Sequence, residues 1–267
     1  MAAGMETEKE DAAEGYYVKS VEKAFAVLGA FSKDMPEHTV SSAAAAAGTS
    51  RAAARRFLLT LRDLGYVRFD GTVFRLAPRT LDIGASFLAH LSLPHVADPH
   101  LKQLSALLGE TTSLCILDGP DVVYVSRITS PRLVRVAVNV GTRFPAWATS
   151  MGRVLLAALP EPEQEAYFAG VQIRRHTPST VADVEQLRRA VRQAGTDGFS
   201  RVADELENGL RGVAVPVRGA GGEVVAAANV SLQLHSSPNE RIEETVVPHL
   251  RAAADRITGD LGGRAEA

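Results

Sequence analysis

The chain is short of most features that would advertise chemistry. It has one cysteine, Cys115, and one tryptophan, Trp147, in 267 residues, and aromatics make up only 6%. A lone cysteine excludes an internal disulfide framework, fits a reducing compartment and reads as a small buried apolar side chain. No apolar run reaches the length of a membrane span, and the acidic N-terminus lacks the basic start and apolar core of a signal peptide, so a cytoplasmic protein is expected. Catalytic signatures are missing too. There is no Gly-x-Ser-x-Gly elbow, no phosphate-binding loop and no His-Glu-x-x-His pattern, and the seven histidines lack metal-ligand spacing. Gly219-Ala220-Gly221-Gly222 lies between two strand-like runs and not before a helix, which favours a hairpin turn over a phosphate cradle. No enzyme, metal or cofactor is expected.

Net charge is also nearly absent, at −2, but it is unevenly spread. Residues 1–18 hold one lysine against five acids, residues 19–79 hold ten basic residues against five acids, and residues 80–267 hold eighteen against twenty-one. The small, acidic stretch 1–17 reads as a disordered tail. The basic segment that follows has the sign a nucleic acid requires. With 46% hydrophobic residues, the length suits two domains.

Within the basic segment, Ser20 to Phe31 reads as a first helix. Ser41 to Ala47 has high helix propensity behind a capping Thr39, and Gly48 ends it. Thr49 or Ser50 then caps a second helix, on which Phe57, Leu61 and Leu64 form the expected core stripe and Arg51 and Arg55 lie on another face. Gly65 closes that helix. Tyr66 to Phe69 and Thr72 to Leu76 flank Asp70-Gly71, a strong hairpin signal. Helix, tight turn, arginine-bearing helix and basic hairpin make a winged helix-turn-helix over residues 18–78. Such a fold sets an arginine fork in the major groove, against phosphates or guanine edges. The expected DNA contacts are Ser41, Thr49, Ser50, Arg51, Arg55 and Arg56, with Arg68 and Thr72 on the wing. A generic helical hairpin with a solvated arginine pair is the alternative for the two helices alone. Arg56, next to Phe57, has a partly buried structural role as its alternative.

Residues 79–94 read as a linker helix ending near Pro94. Beyond it, 95–263 alternate between helical and strand periods. A helix from about His95 to Leu108 precedes strands Thr112 to Leu117 and Val122 to Arg127, a third strand Leu133 to Val140, and an apolar helix Ala148 to Ala158 ended by Pro160 and Pro162. A helix from near Thr180 and Asp183 to Gly195, strands Gly212 to Val217 and Glu223 to Leu232, and a last helix Asn239 to Leu261 complete an α+β domain, its helices mainly on one side of an antiparallel sheet. Asp204, Glu205 and Glu207 suggest a solvated acidic loop. Trp147 to Gly152 places polar and small residues before a helix, where free amides favour a carboxylate. Asn229 and Ser231 share one strand face, as outward surface or as convergent pocket groups.

Three stretches carry a family resemblance: Val18-Lys19-Ser20-Val21-Glu22-Lys23-Ala24, Arg55 to Leu61 with Leu64-Gly65-Tyr66-Val67, and Gly209 to Val217. The chain resembles the IclR family of bacterial transcription regulators. Val138 to Ala146 and Thr149 to Ala157 are similar to the subgroup that regulates protocatechuate, 4-hydroxybenzoate and β-ketoadipate catabolism. The resemblance implies a GAF-like or PAS-like effector domain behind the winged head, a homodimer or homotetramer, a palindromic DNA operator, RNA polymerase as a candidate partner and a small aromatic or dicarboxylic acid as effector. The implied pocket uses Thr149, Ser150, Met151, Gly152, Leu210, Gly212, Asn229 and Ser231, with Arg135 or Trp147 assisting. Some relatives carry acidic or cysteine groups where this chain has Val202 and Gly212, and serine where it has Asn229. Losing a carboxylate and gaining space suits a larger anionic aromatic ligand. The alternatives are an IclR-type regulator of another small acid, an architectural DNA-binding protein, and a small-molecule enzyme fused to a DNA-binding head.

Overall fold

The computed structural model describes residues 17–83, 92–130, 138–233 and 242–263. The acidic tail up to residue 16, the middle of the linker helix, the strand expected from Leu133 with its Arg135, and the start of the last helix lie outside the described residues. The chain divides into two compact units, Met1–His90 and Leu91–Ala267.

In the first unit, α1 (Lys19–Gly29), β1 (Glu37–His38), α2 (Val40–Ala46) and α3 (Arg51–Asp63) precede a hairpin of β2 (Val67–Phe69) and β3 (Phe74–Leu76). Local chemistry sets the corners. Thr39 Oγ1 accepts from Ser42 N while Ser42 Oγ accepts from Thr39 N, a reciprocal cap for α2. Gly48 at φ +59° makes the turn that only glycine takes readily, and Ser50 Oγ caps α3 by accepting from Ala53 N at 3.2 Å.

The stripe of α3 differs from expectation. Ala54, Leu58 and Leu61 are buried, Phe57 is half-buried and Leu64 is exposed. Leu64 is the C-terminal cap, where the chain leaves the helix and its direction no longer follows the helical period. Leu58 and Leu61 pack with Val27, Phe31, Ala43, Val67 and Phe74. The short β1 pairs with β3 and gives a three-stranded sheet in the order β1-β3-β2. His38 on β1 is buried, with Nε2 2.9 Å from Ala30 O and Nδ1 3.0 Å from Ser42 Oγ, tying α1, β1 and α2 together.

In the second unit Pro94 lies within a helix, α4 (Ser92–Leu108). Then come β4 (Thr111–Asp118), β5 (Asp121–Ile128), β6 (Arg143–Pro145), a short 3-10 turn (Ala146–Ala148), α5 (Ser150–Ala157), α6 (Glu161–Gly170), α7 (Val184–Asp197), β7 (Ser200–Ala203), β8 (Leu210–Arg218), β9 (Val224–Gln233), a π-helical turn (Ile242–Val246) and α8 (Val247–Asp260). The six strands form an antiparallel sheet in the order β6-β5-β4-β9-β8-β7.

Helices cover both faces of this sheet, not mainly one. Leu101 and Leu104 of α4 and Leu250, Ala253 and Ile257 of α8 pack with Leu114, Val213, Val230 and Leu232. Leu155 and Leu156 of α5 and Leu187 and Val191 of α7 pack with Cys115, Ala214 and Ala227 on the other side. The sequence carries the sign of this: Ala226 to Ala228 is a continuous apolar run, and strands buried on both faces lose the alternation of a one-sided sheet. Residues 138–140 are not in a strand, and β6 follows a turn at Gly141 with φ +86°. Pro160 and Pro162 end one helix and also open α6, with Glu161 and Glu163 in its first turn. Asp183, and not Thr180, caps α7, which runs past Gly195 to a left-handed Gly198 at φ +66°.

Leu58 is fully buried between α1, α2 and the hairpin. Leu58→Ala is expected to destabilise the first unit by about 2 to 5 kcal/mol, through lost burial and the cavity left behind. Urea unfolding followed by circular dichroism checks this; an unchanged midpoint would contradict the packing described.

Candidate functional site

On the first unit, Ser41, Ser50, Arg51, Arg55 and Arg56 are exposed and Thr49 is half-buried around the α2-turn-α3 corner. Among the described residues none of these three arginines is in an ion pair, and Arg56 is not buried against Phe57. On the wing, the Asp70 carboxylate accepts from Thr72 N and Val73 N, each at 2.9 Å, and from Arg75. The bonds to Val73 and Thr72, then Arg75, hold that carboxyl well below the usual range and fix the turn. Arg75 is taken up by Asp70 and Glu37, while Arg68 and Thr72 stay exposed. The surface has what a groove-binding element requires: unpaired guanidinium groups at a helix start, flanked by a stiff basic hairpin.

On the second unit, a pocket opens between the start of α5, the sheet and the loop 204–209. Its cavity volume is about 50 Å³, below the several hundred Å³ usual for organic-ligand sites. Thr149, Ser150, Met151, Leu210, Gly212, Asn229 and Ser231 line it, as expected, and Tyr124, Ala148, Val202, Glu205, Leu206 and Arg211 line it as well. Cross-strand pairing explains the convergence. Ser231 lies opposite Gly212, and Asn229 opposite Ala214, so both polar side chains emerge on the α5 side of the sheet. Ser231 Oγ donates to Asn229 Oδ1 at 3.0 Å, and Asn229 Nδ2 donates to Val213 O at 3.0 Å and to Ser150 Oγ at 3.4 Å. A Cβ on Gly212 would come within 2.9 Å of Ser150 Oγ, so the missing side chain there leaves room for the Ser150 hydroxyl.

Two expected residues stand behind the wall. Trp147 is buried and stacked on His176 with ring centroids 5.7 Å apart, and its backbone N–H donates to Tyr167 Oη. Gly152 is a packing residue, because a Cβ on it would sit 2.0 Å from Ala146 O. Only glycine lets the 3-10 turn fold back over the start of α5. Arg135 lies outside the described residues.

The acidic loop is solvated only in part: Glu207 is exposed and Asp204 half-buried, but Glu205 is not solvated. Glu205 is buried and pairs with the buried Arg153 of α5 at 2.7 Å, while Arg153 Nε donates to Trp147 O and Glu205 also accepts from Val181 N. Thr149 Oγ1 caps α5 by accepting from Gly152 N at 2.9 Å. Among the described residues no group of three or more His, Cys, Asp or Glu is placed to hold a metal ion.

Family models reach the same two units. Residues 20–71 match the IclR helix-turn-helix domain, and residues 85–259 match the bacterial transcriptional regulator IclR C-terminal domain. The chain belongs to the IclR family. It is 35% identical over 248 residues to the Pca regulon regulatory protein of Pseudomonas putida, covering 92% of this chain and 85% of that one. A solved structure from Rhodococcus sp. RHA1 is 44% identical with a TM-score of 0.82, covering 92% of this chain and 98% of that one. An IclR homolog from Microbacterium hydrocarbonoxydans, solved with 4-hydroxybenzoate, is 28% identical with a TM-score of 0.80, covering 91% of this chain and 98% of that one. This IclR-family chain is therefore a DNA-binding transcription regulator and not an enzyme. No helix among its described residues is long and apolar enough to cross a membrane.

The pocket wall makes two mutational predictions. Gly152→Ala is expected to destabilise the second unit by about 1 to 3 kcal/mol or more, since the clash is with backbone. Glu205→Gln strands the buried Arg153 charge and is expected to cost about 3 to 5 kcal/mol. Thermal unfolding of each variant checks both; wild-type stability in either would contradict the geometry.

Proposed function

We propose that this regulator controls genes of aromatic-acid catabolism, with a single-ring acid in the pocket of residues 91–267 altering how residues 18–78 bind a palindromic operator. The observation that carries the proposal is the buried polar set of Ser150, Asn229 and Ser231 beside apolar Tyr124, Met151, Val202 and Leu210. Apolar walls with a few convergent polar groups suit a flat ring bearing polar substituents. The names of the Pca regulon relative and of the 4-hydroxybenzoate complex support the same ligand class.

The layout is a winged head at 18–78, a linker helix from 79 and an effector and oligomerisation domain to 263. Its head carries an apolar stripe, Val18, Val21 and Phe25, that is 52 to 61% exposed at helical spacing. A symmetric homo-oligomer would cover that stripe and bring two recognition helices to two half-sites. The DNA contacts are Ser41, Thr49, Ser50, Arg51, Arg55 and Arg56, with Arg68 and Thr72 on the wing. Such a protein works in the cytoplasm, beside its promoter and the polymerase.

Fluorescence anisotropy on a labelled duplex from the protein's own promoter region tests the reading. Affinity should change when 4-hydroxybenzoate or 3,4-dihydroxybenzoate is added and not with benzamide; equal affinity under all conditions would refute ligand control. On the same duplex, Arg55→Ala should weaken binding by about 1 to 3 kcal/mol if the guanidinium reads a base edge. An unaltered affinity would remove Arg55 from the interface.

A further inference from the structure

Arg127 does not itself line the pocket, but its guanidinium lies over the ring of Tyr124, which does. Glu205, paired to Arg153, sits beyond β7, whereas Arg127 lies on β5, with β4, β9 and β8 between them. Arg127 and Tyr124 are three residues apart and would point to opposite faces of a regular strand. A bulge opposite Leu114 and Cys115 changes that. Cys115 pairs with Tyr124 and Ser113 with Arg127, so both side chains emerge on the face that carries Asn229, which pairs with Ser113 in turn.

The guanidinium lies 5.8 Å from the centroid of the Tyr124 ring, and its Nη1 donates to Ser113 Oγ at 3.2 Å. Its Nε is buried and meets no hydrogen-bond acceptor among the described residues, nor does any carboxylate among them pair with it. Burial disfavours the charged form, a cost that a bound anion would offset.

We infer that Arg127 anchors the acid group of the effector, with the ring lying along Tyr124 and its far substituent reaching Asn229, Ser231 and Ser150. This rests on the effector reading above. The orientation also keeps the ligand's negative charge away from Glu205.

Isothermal titration of the full-length protein compares 4-hydroxybenzoate with the uncharged 4-hydroxybenzamide. Wild type should prefer the acid. Arg127→Gln should weaken acid binding roughly 10- to 100-fold, as loss of a charge-assisted bidentate contact does, and leave amide binding unchanged. Arg127→Lys, which keeps the charge and guards against a folding defect in the glutamine variant, should retain the acid preference at several-fold lower affinity. A glutamine variant that keeps the wild-type preference would overturn the anchor alone and place it elsewhere, as Arg211 on β8 could provide. A lysine variant with wild-type affinity would overturn the bidentate contact. Wild type that binds no aromatic acid would overturn the effector reading together with the anchor.

Discussion

The pocket depends on how the first turn of α5 is seated. Gly152 lets the backbone of Ala146 approach to a distance that no side chain would allow, and Arg153, one residue later, reaches across to Glu205. One turn of helix is thereby fixed to the 3-10 turn before it and to the loop that carries Leu206 and leads into Leu210 of β8. Thr149, Ser150 and Met151 are presented to the cavity as a consequence. A buried ion pair contributes little net stability against an apolar substitute, but breaking it is costly, so it holds the loop in one place. Two sides of the cavity are registered by that single contact.

The two units divide the chemistry. The head concentrates unpaired guanidinium groups where phosphates and base edges can be reached, and stiffens its wing by committing Arg75 to Asp70 and Glu37. The second unit buries polar groups on one face of its sheet among apolar neighbours such as Cys115, Tyr124, Ala214 and Ala227, where apolar residues would pack at less cost. A ligand can alter DNA binding only by the difference in its affinity for two states of the protein. In the proposed reading, the residues that make that difference are those at the start of α5 and across β5, β8 and β9.

Much of this was legible from local signals. Asp70-Gly71, Gly48 and the capping residues announce the head because each acts within a few residues of itself, and the alternation of Asn229 and Ser231 marks one face of β9. What stayed hidden was non-local. β1 is only two residues long and gains its identity from β3, thirty-six residues away at His38 and Phe74. Glu205 looked like part of a solvated loop because its partner, Arg153, lies 52 residues earlier. Arg127 and Tyr124 share a face only because of a bulge that no strand periodicity reports. Gly152 belongs to the pocket motif by position, yet its role is packing, and nothing in its neighbours distinguishes the two uses.

The most direct test of the account is the thermal unfolding of the full-length protein during titration with 4-hydroxybenzoate. A ligand held by the folded pocket stabilises by about 2.7 kcal/mol at a hundred times its dissociation constant, so the midpoint should rise saturably. A midpoint unmoved by 4-hydroxybenzoate and by every related aromatic acid would contradict the claim that this polar cavity exists to hold one.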